Sequence, residues 1–318
     1  MIIGKKVKLI TSGKSYLDID GYACCVAYAE LLSLLGVPAI AITTAQYNYS
    51  ISKSILELGE KMYSTSSLDI KECVECVVMD VSNPKFFDPI VQGHVISEVF
   101  DHHTGFESFW QEKLGEKAKI EFIGCAATLI FEEWEKADKL VEMCPEIAKI
   151  LVAAILDNTL NFTASVTHNR DKKAVKILNE IGKIDKNWCE NYFKECQQAI
   201  EHDLIHSIKN DVKTDCETPC LPRTIGQITL WNGQKLLEQK VQIYEIMNEL
   251  SDVFLINIIS IKDNKSYFVC NNNFYRDKLS EIFGVVFKDD VAQMPKAILR
   301  KEIIKTTQSF ISSPSGSS

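Results

Sequence analysis

The first half of the chain alternates short apolar runs with longer segments whose apolar residues recur at helical spacing. The short runs are rich in β-branched residues and predict strands at residues 7–11, 39–43, 76–80, 95–100 and 120–123. The longer segments predict helices at residues 22–35, 52–63, 125–137, 145–157 and 171–181. Such alternation predicts an α/β domain with a parallel sheet that is covered by helices on both faces.

The second half of the chain has a different pattern and predicts a smaller α/β domain. Its predicted elements are a helical segment at 188–206, strands at 224–231, 253–261 and 266–271, and a helix at 233–250. The polar stretch 183–186 is the linker candidate, so the predicted domains are 1–184 and 185–308, with a cleft between them. Residues 309–318 are dominated by Ser, Pro and Gly and predict a disordered tail.

Length and charge narrow the classes of protein to consider. A chain of 318 residues is too long for one comfortable hydrophobic core, which supports two domains. The net charge of -8 and a pI near 5.4 argue against a protein that coats nucleic acid. The N-terminal residues lack the apolar region of a signal peptide, and no apolar run approaches the ~20 residues that cross a bilayer. We therefore expect a soluble, cytoplasmic protein with no membrane partner.

The chain contains eleven cysteines, and two pairs have spacings close to those of zinc ligands. The pairs are Cys73-x-x-Cys76 and Cys216-x₃-Cys220. The first pair lies on a predicted strand, where side chains three positions apart face opposite ways. Most other cysteines lie within apolar stretches, as buried thiols do in a reducing compartment. We interpret the cysteines as plain thiols.

Acidic residues follow several apolar runs at the point where each run ends. The four sites are Asp18-x-Asp20, Asp80, Asp101-His102-His103 and Asp157. A single Asp at such a place is most often a turn former or a helix cap. Five carboxylates and two imidazoles on four segments instead suit a di-metal site, because carboxylate oxygens and imidazole together bind ions such as Mn²⁺. A pair of such ions can hold a phosphoryl group and activate water, which indicates a metal-dependent phosphohydrolase.

The order of these motifs, followed by a second α/β domain, resembles the DHH phosphoesterase superfamily. Within it, the chain most resembles the manganese-dependent (family II) inorganic pyrophosphatases and the related exopolyphosphatases. Segments 123–128 and 154–162 are similar to further motifs of that family, and Leu299-Arg300-Lys301 is similar to its phosphate-binding basic pair. The resemblance covers residues 7–305. It implies hydrolysis of a phosphoanhydride, with inorganic pyrophosphate as the first candidate substrate.

The resemblance also implies which residues bind metal. Asp18 would bind the first ion and Asp20 the second, while Asp80 would bridge the two. His102 and Asp157 would complete the second site. The implied cofactor is Mn²⁺, or Mg²⁺ or Co²⁺ in its place, at one to two ions per chain.

Other residues would act on the substrate according to the same resemblance. His103 would lie beside the substrate, orienting or protonating it, while Asp101 would orient an imidazole through a hydrogen bond. Arg300 and Lys301 would bind the anionic substrate from the second domain. On this hypothesis, replacing Arg300 by Ala mainly raises the Michaelis constant.

The chain departs from the family pattern at two positions. The family has a metal-binding histidine four residues before the first Asp, where this chain has Lys14. A charged ammonium cannot donate a lone pair to a metal, so Lys14 either weakens the first site or supplies positive charge in place of that ion. The family also has a substrate lysine at the start of the second domain's first strand. The nearest equivalent positions here are Pro222-Arg223, and Arg223 could serve only if the register shifts by one.

Several alternative functions stay open from the sequence. The same fold could hydrolyse short polyphosphate or a nucleotide. A non-catalytic relative could bind a phosphorylated ligand with Lys14 in place of one metal. A nuclease of the superfamily is less favoured, because its glycine-rich motif is missing and the chain is acidic. The expected partner is therefore a small phosphorylated molecule, and a homodimer is an option for the assembly.

Overall fold

The computed structural model describes residues 7–59, 62–64 and 74–312, which divide into two compact units. Within these residues, the first unit runs to Phe162 and resumes from Val166 to Tyr192. The second unit comprises Thr163–Ser165 and the described chain from Phe193 onward. Each unit is built around one six-stranded sheet.

The first unit contains a fully parallel sheet. Its strands are β1 (Val7–Thr11), β2 (Ala39–Thr43), β3 (Tyr63–Ser64), β4 (Val74–Met79), β5 (Val95–Asp101) and β6 (Ala118–Ile120). They are arranged in the order β3-β2-β1-β4-β5-β6. The chain moves outward from β1 on one side and then restarts at β4 on the other. Ligands of parallel sheets bind where the order reverses, at the carboxyl ends of these strands.

Helices connect the strands of the first unit. They are α1 (Ile19–Leu34), α2 (Lys53–Glu57), α3 (Glu107–Leu114), α4 (Ala126–Lys136), α5 (Pro145–Asn158), α6 (Asn169–Gly182) and the beginning of α7 (Trp188–His202). The sheet is buried as a parallel sheet requires, with Cys76–Met79 of β4 shielded from water on both faces. This architecture confirms the predicted α/β fold with a parallel sheet.

The second unit contains a mixed sheet. Its remaining helices are α8 (Leu204–Lys209), α9 (Lys240–Asn248), α10 (Asn273–Phe283) and α11 (Arg300–Ser312). Its strands are β7 (Val212–Lys213), β8 (Thr224–Leu230), β9 (Phe254–Ser260), β10 (Lys265–Cys270), β11 (Phe287–Lys288) and β12 (Val291–Met294). The order is β11-β12-β10-β9-β8-β7, and only β8 and β9 are parallel neighbours. The second predicted α/β domain is therefore also confirmed.

Several predicted elements of the first unit differ in extent from those observed. Within the described residues of the predicted helix 52–63, only the short α2 is helical, because Gly59 adopts a φ of +88° that ends helical geometry. The predicted strand 120–123 is replaced by β6, which ends at Ile120. After β6 the chain leaves the sheet, and Phe122 is exposed.

Three predictions in the second half also need correction. The segment 188–206 forms two helices, because Asp203 caps a new helix by accepting a hydrogen bond from the amide of His206. The segment 233–250 begins as the 3₁₀ helix Gly233–Gln239 before α9. Helix α11 continues to Ser312, so the first residues of the predicted disordered tail are helical. Residues 313–318 lie outside the described part of the chain.

The ten cysteines of the described chain form no disulfide bonds, and most of them are buried. Cys73, from the first pair with zinc-like spacing, lies outside the described residues. None of the described helices is both long and apolar enough to span a bilayer.

Candidate metal centre

The carboxyl ends of three neighbouring strands bring together the acidic motifs of the first unit. Asp80 directly follows β4, and Asp101 is the last residue of β5. The loop after β1 leads to α1, whose first turn contains Asp20. Since β1 and β4 flank the reversal of strand order, these residues lie where a parallel sheet binds ligands.

A compact group of three potential metal donors forms at this edge. The Nε2 atom of His102 lies 3.3 Å from Oδ1 of Asp80 and 3.7 Å from Oδ2 of Asp20. The Nδ1 atom of His103 lies 3.7 Å from Oδ1 of Asp80. One donor atom from each of Asp80, His102 and His103 fits within 4.8 Å of the others. Two imidazoles and two carboxylates therefore converge from three segments of the chain.

The backbone of Asp80 is held in an uncommon conformation. Its φ is +57°, in the left-handed region that few residues other than glycine adopt. The Asp80 amide donates a 2.7 Å hydrogen bond to the carbonyl of Phe100 in the adjacent strand. Asp and Asn tolerate this conformation better than most residues do, and such strain is concentrated at functional sites. The turn places the Asp80 carboxylate beside both histidines.

The His102 ring has the orientation of a metal-binding histidine. Its Nδ1 lies 3.2 Å from the carbonyl oxygen of Ile123, and the ring is buried. A carbonyl oxygen only accepts, so Nδ1 carries the proton of this hydrogen bond. The lone pair of a neutral ring is then on Nε2, which faces Asp80 and Asp20. Metal-binding histidines are commonly fixed in this way by a backbone carbonyl.

Asp101 forms hydrogen bonds with the backbone amides of both histidines and with the ring of His103. Its Oδ1 accepts hydrogen bonds from the amides of His102 at 2.7 Å and His103 at 3.0 Å, and lies 2.9 Å from Nδ1 of His103. Burial acts to raise the pKa of Asp101, but the nearby His103 charge and these hydrogen bonds outweigh it, so the pKa is lowered. Asp101 therefore stays ionised and orients the His103 imidazole.

Asp20 is a fully buried residue of α1, and its carboxylate caps the N-terminus of another helix, α4. Its Oδ2 accepts a 3.0 Å hydrogen bond from the amide of Ala126, and its Oδ1 accepts a 2.8 Å bond from the amide of Ala127. These amides belong to the first turn of α4, where a carboxylate is favourable. Burial and the nearby charge of Asp18 nevertheless raise the pKa of Asp20 to about 6.

This raised pKa predicts that metal affinity depends on pH. Because the pKa of Asp20 is higher in the folded protein than its ordinary value of 3.8, its contribution to stability is full below pH 3.8 and is lost as the pH rises through 6. A divalent cation competes with the same proton. We expect Mn²⁺ affinity to rise about tenfold between roughly pH 5 and 7, measured by titration calorimetry. Equal affinity at both pH values would contradict this expectation.

Asp18 and Asp157 lie at the start of α1 and near the end of α5. Asp18 caps α1 through a 3.0 Å hydrogen bond from the amide of Gly21. Asp157 Oδ1 lies 3.5 Å from the hydroxyl of Tyr192, which also donates a 2.9 Å bond to the carbonyl of Ser50. The hydroxyl of Ser50 in turn accepts from the amide of Ile19. Asp157 is thus linked to the start of α1, although it is outside the three-residue donor group.

Lys14 lies in the loop after β1, and its side chain is exposed. Its amide donates a 2.9 Å hydrogen bond to the carbonyl of Phe86, in the loop after β4. Lys14 therefore connects the segments that follow β1 and β4, the two strands at which the strand order reverses.

The predicted substrate residues of the second unit have unequal environments. Arg300 is buried, and its guanidinium donates to the Asp211 carboxylate and carbonyl, both at 2.6 Å, and to the Ile225 carbonyl at 3.2 Å. Lys301 is partly exposed and Arg223 is exposed. Arg300 is thus engaged in a buried ion pair, which the sequence did not indicate.

Lys213 and Asp171 were missed by sequence reasoning. Lys213 is exposed on β7, although partial desolvation and then the charge of Arg300 lower the pKa of its ammonium. Its strand, β7, has two residues and is too short to be recognised from a pattern. Asp171 is fully buried and binds Gly124 and Thr128. The sequence from His168 to Asp171 could have indicated its helix cap, but not these partners.

The donor set of the first unit fits a divalent cation. Asp20, Asp80 and His102 supply oxygen and imidazole nitrogen donors, a combination that suits Mn²⁺ better than Mg²⁺ or Ca²⁺. The repulsion that Asp18 exerts on Asp20 shows excess negative charge in the same place. A bound cation would balance this charge.

Comparison with known proteins finds relatives of one kind, all at low sequence identity. No family model matches the chain. The manganese-dependent inorganic pyrophosphatase of Bacillus subtilis is 22% identical over 305 residues, covering 93% of this chain and 96% of the enzyme.

Two solved structures share the fold. One is a Methanococcus jannaschii protein described provisionally as a family II inorganic pyrophosphatase, with a TM-score of 0.71 and 17% identity over 95% of this chain and 98% of that one. The other is an exopolyphosphatase-related protein from Bacteroides fragilis, with a TM-score of 0.53 and 15% identity over 96% of this chain and 91% of that one. The chain therefore resembles the manganese-dependent inorganic pyrophosphatases over nearly its whole length and has their two-domain α/β fold, which confirms the resemblance drawn from its motifs.

Proposed function

We propose that this protein is a manganese-dependent phosphohydrolase that converts inorganic pyrophosphate to two phosphates. The observation that carries the proposal is the convergence of Asp80, His102 and His103 beside the buried Asp20. The resemblance to enzymes named for this activity supports the choice of substrate and of metal. Divalent ions at this centre would neutralise phosphate oxygens and activate water for attack.

The metal-binding residues proposed here are those of the sequence hypothesis. Asp20, Asp80 and His102 would form the core of the centre, and Asp80 would bridge two ions. Asp18 and Asp157 would complete the two sites. The link from Asp157 through Tyr192 to the start of α1 supports its place near the others.

His103 is the proposed proton donor to the leaving phosphate. The His103 side chain is half exposed, whereas that of His102 is 1% exposed. Of these two rings, substrate can therefore reach only that of His103. With Nδ1 of His103 held by the Asp101 carboxylate, Nε2 is the nitrogen that can give a proton to substrate. Asp101 holds the ring in the orientation that this proton transfer needs, as a carboxylate does for catalytic histidines elsewhere.

Four of the proposed phosphate-binding residues lie in the second unit, and Lys14 lies in the first. Lys301 and Lys213 can neutralise substrate directly, and Arg300 acts through its charge while it is paired with Asp211. Arg223 and Lys14 stay candidates for the same task. In this proposal, residues 1–184 form the metal-binding domain and 185–308 the substrate-binding domain. A cytoplasmic location and a homodimer also stay predictions.

A substrate and metal panel tests the proposed function. Protein stripped of metal by a chelator is assayed for phosphate release from pyrophosphate, tripolyphosphate and nucleoside triphosphate, with Mn²⁺, Mg²⁺ or Co²⁺ added back. We expect pyrophosphate with Mn²⁺ to be hydrolysed fastest. Preference for tripolyphosphate or nucleotide would favour the related phosphoesterase activities. No turnover with any pair, together with fewer than two ions bound per chain, would favour a non-catalytic binding protein.

A further inference from the structure

One stretch of backbone orients two of the proposed metal ligands. In residues 123–127, the carbonyl of Ile123 accepts the hydrogen bond from the His102 ring. Three and four residues later in the same stretch, the amides of Ala126 and Ala127 donate to the carboxylate of Asp20. The position of this stretch therefore sets where both ligand side chains point.

Asp171, in the first turn of α6, holds this stretch at Gly124 and at Thr128, the residue that follows it. Oδ2 of Asp171 accepts a 3.2 Å hydrogen bond from the amide of Gly124, and Oδ1 accepts a 2.6 Å bond from the hydroxyl of Thr128. Asp171 also accepts a 2.7 Å bond from the amide of His168, within its own helix cap. Its side chain is fully buried. A buried carboxylate with three donors has a single favourable position, so it constrains the backbone that it holds.

Gly124 allows this close approach. A Cβ atom at residue 124 would lie 2.4 Å from Oδ2 of Asp171 and 2.7 Å from Cγ2 of Thr159. Both distances are far inside van der Waals contact, so only glycine fits between α6 and the end of α5. The requirement for glycine shows how tightly the stretch is fixed against Asp171.

We propose that Asp171 is a positioning residue that sets the metal affinity of the centre through residues 123–127. It contacts neither metal nor substrate, and it acts by fixing the partners of His102 and Asp20. Residues that orient metal ligands typically change affinity by roughly 10–100-fold when replaced. The inference rests on the proposed metal centre but not on the identity of the substrate.

Two substitutions at Asp171 test whether its hydrogen bonds, and not its negative charge, are what the metal centre needs. Asp171→Ala removes the acceptors for Gly124 and Thr128. Asp171→Asn keeps a carbonyl oxygen for the amides of Gly124 and His168, and its NH₂ group can donate to the Thr128 hydroxyl oxygen. The asparagine variant is therefore the conservative rescue.

His168→Ala provides the matched control. It removes the ring acceptor for the amide of Arg170 at the same helix cap, 3.3 Å away, but leaves the Asp171 bonds to Gly124 and Thr128 in place. It should lower the melting temperature without changing the metal centre.

The test measures Mn²⁺ affinity by titration calorimetry and the His102 tautomer by ¹⁵N NMR of the metal-free protein. We expect Asp171→Ala to weaken Mn²⁺ binding about tenfold and to mix the His102 tautomers, with Asp171→Asn within about twofold of the parent. His168→Ala should keep the parent affinity. Both readouts are independent of turnover, so they decide this inference even if pyrophosphate is not hydrolysed.

Two results would overturn the inference. One is a folded Asp171→Ala variant with parental Mn²⁺ affinity and a single His102 tautomer. The other is an equal loss of affinity in His168→Ala, which would mean that helix stability alone matters. If Asp171→Ala does not fold, Thr128→Val removes one anchor with little change in shape. Parental affinity and tautomer in that variant would reject the role, and weaker binding would support it.

Discussion

Replacing Asp80 by asparagine is expected to reduce manganese-dependent hydrolysis by about 100-fold or more. Replacing residues that merely orient metal ligands costs roughly 10–100-fold, so the loss of a carboxylate that is proposed to bind the metal directly should exceed that range. Asparagine tolerates the left-handed φ of +57° at this position, so the turn beside His102 and His103 should be retained. The measurement is the rate of phosphate release from pyrophosphate at saturating Mn²⁺, with bound metal determined in parallel.

Asp138→Asn is a matched control for this substitution. Asp138 is also in the first unit and has a φ of +56°, but it is exposed and lies two residues after the end of α4. The same change of carboxylate to amide in the same backbone conformation should leave activity and metal content unchanged. Parental activity in Asp80→Asn would rule out the proposed centre, whereas an equal loss in both variants would point to backbone strain.

Replacing Arg300 by alanine is expected to destabilise the second unit by about 3–5 kcal/mol, because it leaves the buried Asp211 carboxylate without its charged partner. The Arg300 and Asp211 side chains are 10% and 9% exposed, so water can replace little of the lost interaction. This differs from the sequence hypothesis, in which Arg300→Ala mainly raises the Michaelis constant. Urea unfolding, followed by circular dichroism, measures the change in free energy.

Two further variants make this expectation specific. Lys301→Ala, at the next residue of α11, changes a partly exposed cation and should shift stability by no more than about 0.5 kcal/mol. Replacing Arg300 and Asp211 together by Met and Leu should restore much of the stability, because no buried charge is left unpaired. Parental stability of Arg300→Ala would show that the ion pair contributes nothing and would return Arg300 to a role in substrate binding alone.

The local patterns of the chain predicted most of the first unit. Apolar runs of β-branched residues identified β1, β2, β4 and β5 to within two residues, because strands buried on both faces are recognisable from short segments. The same patterns failed where one residue changed the backbone. Gly59 ends α2 early, and Asp203 starts α8 within a segment that otherwise has continuous helical spacing.

The candidate site was predictable in part for a topological reason. In a parallel sheet, the residue after each strand lies at one edge, so the sequence could indicate that Asp80 and Asp101-His102-His103 would be near each other. The sequence could not indicate which side-chain atoms of these residues would face one another. The orientation of the His102 ring depends on the carbonyl of Ile123, which follows a different strand.

The sequence by itself determined the alternation of strands and helices, the acidic residues at strand ends and the resemblance to pyrophosphatases. Only the tertiary structure decided that Asp20 is held by α4, that Asp171 anchors Gly124 and that Arg300 is buried against Asp211. The physical reason is the separation of the partners along the chain. Periodicity and capping act over a few residues, whereas partners such as Asp20 and Ala126 meet only when separate elements pack.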